Sequence, residues 1–271
     1  MLGGATALTA CGVLGTVSPA ALASSSLALG WTRQAPPTRP PARQGAAVAY
    51  DAATGTIVMF GGIGHFSRLF GATWTWDGSN WTRQAPATHP SAREGAAMAY
   101  DPATGNIVLF GGQVRHGVSG DTWTWDGSNW TQQTPATSPS ARSGAAMAYD
   151  NATGNIVMFG GFGLSSTTWI WDGSTWTRRS PTAHPSARVG AGMAYDAATG
   201  NIVLFGGLAA HGVPSSGTWT WDGSTWTRQT PTTHPSARGY TAMAYDAAAG
   251  NVVLFGGLGP HSLDKDTWIW G

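Results

Sequence analysis

Gly95-Ala96-Ala97-Met98-Ala99-Tyr100, Asp101-Pro102-Ala103-Thr104-Gly105-Asn106, Ile107-Val108-Leu109-Phe110-Gly111-Gly112, Thr122-Trp123-Thr124-Trp125-Asp126-Gly127 and Trp130-Thr131-Gln132 together make one structural unit. The first piece is a strand of small residues, suited to a crowded innermost position. The second is dense in turn formers, with Gly105 free to take positive φ and Asp101 able to bond its own backbone two residues on. Ile107–Phe110 is a β-branched and aromatic run bounded by turn signals, the pattern of a strand buried on both faces. Thr122–Trp125 alternates strictly, which puts both indoles on one side of a third strand. Asp126-Gly127 starts a tight hairpin, and Trp130 opens the returning fourth strand.

Working outward, the same unit recurs from Trp31, Trp81, Trp130, Trp176 and Trp226, at spacings of 50, 49, 46 and 50 residues. A period of this size marks a propeller or solenoid built from one supersecondary unit per repeat. Four antiparallel strands per repeat and five repeats predict an all-β, five-bladed propeller, in which radial repetition protects the sheet edges. Blades are expected at about residues 43–84, 93–133, 142–179, 188–229, and 238–270 plus 31–34. The chain carries an unpaired fourth strand near its start, Trp31–Gln34, and an unpaired third strand at its end, Thr267–Trp270. Ring closure by the first strand completing the last blade is therefore expected.

The Gly-Gly doublets at Gly61-Gly62, Gly111-Gly112, Gly160-Gly161, Gly206-Gly207 and Gly256-Gly257, each followed by paired aromatics, resemble the signature of kelch-repeat β-propellers of the galactose oxidase central-domain type. Two departures stand out. Trp76, Trp125, Trp171, Trp221 and Trp270 occupy a third-strand slot where the family usually has tyrosine, and the hairpin to the fourth-strand Trp is shorter. Five blades is also fewer than the six or seven usual in the family.

Fourteen basic and thirteen acidic residues leave a formal charge of +1, which gives no electrostatic footprint for nucleic acid or an anionic membrane. Nine of the acids fall in two recurring turn slots and nine of the bases in two recurring strand-edge slots, so most charge is structural. Residues 1–30 carry no charge and no repeat signature. They read as a secretory leader with Ala21-Leu22-Ala23 as a small-x-small cleavage site, although a basic n-region is missing. Leu8-Thr9-Ala10-Cys11 resembles a lipoprotein signal, so a secreted and a lipid-anchored form both stay open. Pro19 and the scattered small polar residues argue against a stable membrane span. Cys11 is the sole cysteine, which rules out an intramolecular disulfide.

All fifteen tryptophans sit at three fixed slots per blade, and read as cement between blades rather than sugar-stacking platforms. Alternating strand direction puts the short, uniform turns on one face of the disc. The variable second-to-third loops, of 10, 9, 6, 10 and 9 residues, and the blade crossings lie on the other. Function on a rigid scaffold concentrates in such loops.

Three sets of residues collect on that face. Arg43, Arg93, Arg142, Arg188 and Arg238 share one slot before the innermost strand and are expected around the channel mouth. The kelch resemblance implies acidic-peptide contacts for arginines near that mouth, and the guanidinium fork suits carboxylates; the alternative is that each bonds loop carbonyls. His65, His116, His211 and His261 fall in the loops, and His89, His184 and His234 in the crossings, with no spacing that defines a metal site. Phe66, Leu69, Phe70, Phe162, Leu164 and Leu263 are apolar loop residues without repeat partners.

No cofactor, metal or catalytic set is expected. The copper chemistry of galactose oxidase needs a cysteine cross-linked to tyrosine, and this chain has no cysteine beyond the leader. Asp264 and Asp266, among the few acids outside repeat slots with Glu94 and Asp121, read as a solvated loop rather than an acid/base pair. The expectation is an exported, non-enzymatic module presenting Arg and His to a protein segment or glycan. The alternatives are a sugar-mutarotase type of enzyme, or a fragment of a longer kelch array without activity of its own.

Overall fold

The computed structural model describes residues 33–163 and 165–271, and the account below concerns the unit from Pro36 to Gly271. It is an all-β, five-bladed propeller. Blade 1 holds β1 (Ala47–Asp51), β2 (Thr56–Phe60), β3 (Thr73–Trp76) and β4 (Trp81–Arg83). Blade 2 holds β5 (Arg93–Glu94), β6 (Ala97–Asp101), β7 (Asn106–Val114), β8 (Gly117–Trp125) and β9 (Trp130–Gln133). Blade 3 is β10 (Ala146–Asp150), β11 (Asn155–Phe159), β12 (Thr168–Trp171) and β13 (Trp176–Arg179). Blade 4 is β14 (Gly192–Asp196), β15 (Asn201–Phe205), β16 (Thr218–Trp221) and β17 (Trp226–Gln229). Blade 5 has β18 (Ala242–Asp246), β19 (Asn251–Leu258) and β20 (Leu263–Trp270) among the described residues.

Register within each blade follows from the turns. Asp51, Asp101, Asp150, Asp196 and Asp246 each accept a bond at Oδ1 from the N–H two residues on, at 3.0–3.1 Å. The aspartate carbonyl then takes the N–H of a glycine four residues on, as from Gly105 to Asp101 at 2.9 Å. That glycine has φ of 71°, a conformation open to glycine at little steric cost.

Blades are joined by aromatic packing. Phe60 meets Trp130, Phe110 meets Trp176 and Phe159 meets Trp226 edge to face, with centroids 5.4–5.5 Å apart. Each of these indoles reaches back to the preceding blade: Trp130 Nε1 donates to Thr73, Trp176 to Thr122 and Trp226 to Thr168, at 2.8–2.9 Å. All three are essentially fully buried. Burying an indole removes roughly 150–250 Å² from water, which contributes at most about 4–6 kcal/mol.

The junction of blades 4 and 5 involves fewer buried groups among the described residues. Its buried core is Ala194, Val203 and Val252, and a cavity of about 80 Å³ opens among Phe205, Thr218, Thr233 and Trp270. Phe205, Thr218 and Trp270 are the counterparts of the groups that hold Trp130, Trp176 and Trp226 elsewhere. Trp31 and Thr32, which lead the strand expected to complete blade 5, lie outside the described residues, as does the leader. Val48 and Tyr50 on blade 1, and Phe255 and Ile269 on blade 5, are largely exposed.

Candidate functional site

Five arginines organise the variable face, and the structure places them inside it. Arg43, Arg93, Arg142, Arg188 and Arg238 each donate from Nη1 to the carbonyl of the first glycine of their own blade's Gly-Gly pair, at 2.7–3.2 Å. Each Nε donates to the carbonyl two residues back, at 2.9–3.1 Å. The arginine backbone serves the neighbouring blade: Gly62 N–H donates to Arg93 O, Gly112 to Arg142 O, Gly161 to Arg188 O and Gly207 to Arg238 O, at 2.8–2.9 Å. A Cβ at Gly61, Gly111, Gly160 or Gly206 would lie only 2.3–2.5 Å from that arginine carbonyl, which explains the first glycine of the doublet. Except for the half-buried Arg43, these arginines are 1–4% exposed.

What differs between blades is the group that answers the guanidinium. Two positions in the second-to-third loop supply it, four and two residues before the first third-strand Trp. Blade 1 has Phe70 and Ala72, and Arg43 stacks 4.2 Å over the Phe70 ring. Blade 2 has Ser119 and Asp121, and Asp121 is held by both Arg93 nitrogens, at 2.5 and 2.9 Å, and by Trp123 Nε1 at 2.7 Å. Blade 3 has Ser165 and Thr167, whose hydroxyls take Arg142 Nη1 at 3.3 and 3.2 Å. Blade 5 has Asp264 and Asp266: Asp266 accepts from Nη1 and Nη2 of Arg238 and from Trp268 Nε1, while Asp264 lies 3.2 Å from Nε. Blade 4 has Ser215, 3.5 Å from Arg188, and Gly217.

Loop conformation differs with loop length. The nine-residue loops of blades 2 and 5 zip into long hairpins, β7–β8 and β19–β20, each with a register shift at the Gly-Gly pair. The hairpin aims its aspartate at the arginine. The ten-residue loops of blades 1 and 4 instead close through single 3-10 turns at His65–Ser67 and Ala210–Gly212.

The ionisation of these groups follows from their partners. Burial pushes Arg142 and Arg188 down to about 10, and Arg178 and Arg228 respectively add like-charge repulsion. Hydrogen bonding to Asp266 raises Arg238 in spite of its burial. Burial by itself would raise Asp121, but the hydrogen bonds from Arg93, Ser119 and Trp123 hold it below the usual carboxylate range.

The channel mouth is a separate cavity of about 690 Å³. None of the five arginines lines it. The residues one and two places after them do, among them Gln44, Glu94, Val189 and Tyr240, together with Phe162 and Leu258 from the loops. A run of backbone bonds tracks the rim: Gly95 N–H to Gly45 O, Gly144 to Gly95, Gly190 to Gly144 and Tyr240 to Gly190, at 2.6–2.8 Å. Gly45, Gly95, Gly144 and Gly190 have φ of 61–65°, and Tyr240 holds the same slot at 55°. A bulky residue there is strained, at a cost of order 1–3 kcal/mol. The ring is 58% exposed and lies over Gly190, and Phe162 is 63% exposed.

A family model described as the KLHDC2/KLHL20/DRC7 Kelch-repeats domain matches residues 25–177, more than half of the chain. The chain belongs to the kelch-repeat family. No curated protein matches the sequence. Kelch propellers are in general protein-interaction modules.

On this kelch propeller the histidines stay dispersed. His65, His116, His211 and His261 are exposed in their separate loops. His89, His184 and His234 each place Nδ1 2.9 Å from the carbonyl of the proline that follows, an N–H···O bond that stiffens the crossing. Among the described residues no group of three His, Cys, Asp or Glu side chains is arranged to hold a metal ion. Phe66 is fully exposed, Phe70 lies under Arg43, and Leu164 lies outside the described residues. Tyr240 and Gly217 were not singled out by the sequence reading. Tyr240 stands where the other four blades have glycine, whereas the Gly217 slot holds Ala72, Asp121, Thr167 and Asp266 elsewhere and has no common residue to depart from.

Proposed function

We propose that this kelch propeller is an exported, non-enzymatic binding module that holds a segment of a partner protein in its channel mouth. Tyr240 carries the reading. Four blades keep glycine at a slot with positive φ, and the fifth keeps an exposed tyrosine there despite the strain. Such strain persists where it serves a site. Phe162, Val189 and Leu258 add apolar surface beside it, and Glu94, Gln44 and Gln113 supply polar groups for orientation, the mixture found in ligand clefts. The leader-like residues 1–30 support export, which N-terminal sequencing of the mature protein checks.

The test is selection of displayed peptides on the parent protein, followed by affinity measurement on Tyr240→Gly and Phe162→Ser. Selected peptides should bind each variant at least ten-fold more weakly while both variants unfold as cooperatively as the parent. Peptides that bind the variants equally well, or no enrichment at all, would remove the mouth from consideration.

A further inference from the structure

We infer that the cleft beside Arg188 in blade 4 is a binding site for a small organic carboxylate. The cleft encloses about 440 Å³ and is lined by Arg188, Arg228, His184, Ser215, Ser216 and Trp219. The molecule contains its own templates for the ligand. In blade 2 a carboxylate, that of Asp121, takes the arginine Nη2 at 2.9 Å and the third-strand indole N–H at 2.7 Å. In blade 5 the Asp266 carboxylate does the same, at 3.0 and 2.7 Å. Blade 4 presents the same two donors, Arg188 and Trp219, around a glycine.

Gly217 stands where those aspartates stand. A Cβ built on it would lie 3.4 Å from Ser215 Oγ and from Trp219 Nε1, so a side chain fits there and the open space begins where the Asp121 side chain does. The other blades lacking an aspartate have other answers. Thr167 and Ser165 turn hydroxyls to Arg142 in blade 3, and Phe70 covers Arg43 in blade 1. Among the described residues Arg188 has carbonyls from Gly206 and Ser186 and hydroxyls from Ser186 and Ser215, but no anion.

Charge adds to the geometry. Arg188 is 4% exposed, Arg228 reaches the same cleft from β17, and no acidic side chain lines it. Burial, with repulsion from Arg228 added, lowers Arg188 to about 10, so it stays protonated at neutral pH with its charge uncompensated. A bound carboxylate relieves both costs through charge-assisted hydrogen bonds. His184, whose Nδ1 donates to Pro185 O at 2.9 Å, is held in place in the lining of the cleft. Because Arg228 lines the same cleft as a second cation, a dicarboxylate gains a second contact that a monocarboxylate does not.

The experiment titrates the protein with acetate and with succinate at constant ionic strength, following the Trp219 indole N–H resonance assigned by its loss in Trp219→Phe. Saturable shifts are expected in the parent, with succinate binding more tightly than acetate. Gly217→Asp supplies the carboxylate internally and should weaken both at least ten-fold; Arg228→Gln, an exposed change that spares the fold, should bring succinate down to the level of acetate. No saturable shift in the parent, or affinities unaltered in both variants, would overturn the assignment.

Discussion

Blades 2 and 4 begin alike. Arg93 and Arg188 are both buried, both donate to the first glycine of the Gly-Gly pair, and both lend a backbone carbonyl to the preceding blade. They part at one residue of the loop, where blade 2 has Asp121 and blade 4 has Gly217. Asp121 neutralises its arginine, whereas Arg188 faces a second cation and a cleft. In an array copied five times the copies act as internal controls. A slot kept in all blades belongs to the frame, and a slot that changes in one blade shows what that blade does differently.

The frame itself should show the largest effect. Trp176→Ala removes the Phe110 contact and the bond to Thr122, and should cost about 3–5 kcal/mol in urea unfolding. Trp81 occupies the same slot in blade 1 but is only partly buried, so Trp81→Ala should cost clearly less. Equal losses would mean that indole packing between blades does not hold the array together.

Asp121→Ala comes next, because it makes blade 2 resemble blade 4. Arg93 keeps its carbonyl partners but loses its carboxylate, at an expected cost of about 1–3 kcal/mol. The loss should depend on pH. Asp121 is depressed in the folded state, so its contribution is complete above the ordinary aspartate value of about 4 and disappears as pH falls through the lower folded value. Parent and variant should therefore converge in acid. A gap between them that does not shrink as pH falls from about 4 would show that the carboxylate charge is not what stabilises blade 2.

Tyr240→Gly should have the smallest effect, and of opposite sign. Releasing a non-glycine residue from φ of 55° should raise stability by up to about 1 kcal/mol, offset in part by the lost cover over Gly190. A marked destabilisation would make Tyr240 a packing residue and weaken its assignment to binding.

Much of this was legible in the sequence because repetition makes structure visible. The strand order, the small innermost residues and the tryptophan slots all recur, and no single copy had to carry the inference. The role of the arginines was harder to read. Their partner is a glycine carbonyl 18 residues on, and backbone acceptors leave no mark on the sequence. Asp121 and Asp266 stood out as acids beyond the repeat slots, but their shared position shows only when loops of equal length are aligned. Tyr240 could have been found by asking which blade breaks a glycine slot, whereas Gly217 lies in a slot that varies throughout and gains meaning only beside the arginine it faces. The mouth could not, since it is bounded by residues from all five blades.

The most direct measurement transplants the difference. Gly217→Asp places the blade 2 carboxylate beside Arg188, and its stability should be followed against pH with no ligand present. The comparison predicts a variant about 1 kcal/mol or more stabler than the parent at neutral pH, consistent with a hydrogen bond to a charged group, with the gain vanishing below about pH 4 as the carboxylate protonates. A variant that is no more stable than the parent, or whose gain is indifferent to pH, would contradict the claim that this one loop position decides what each buried arginine does.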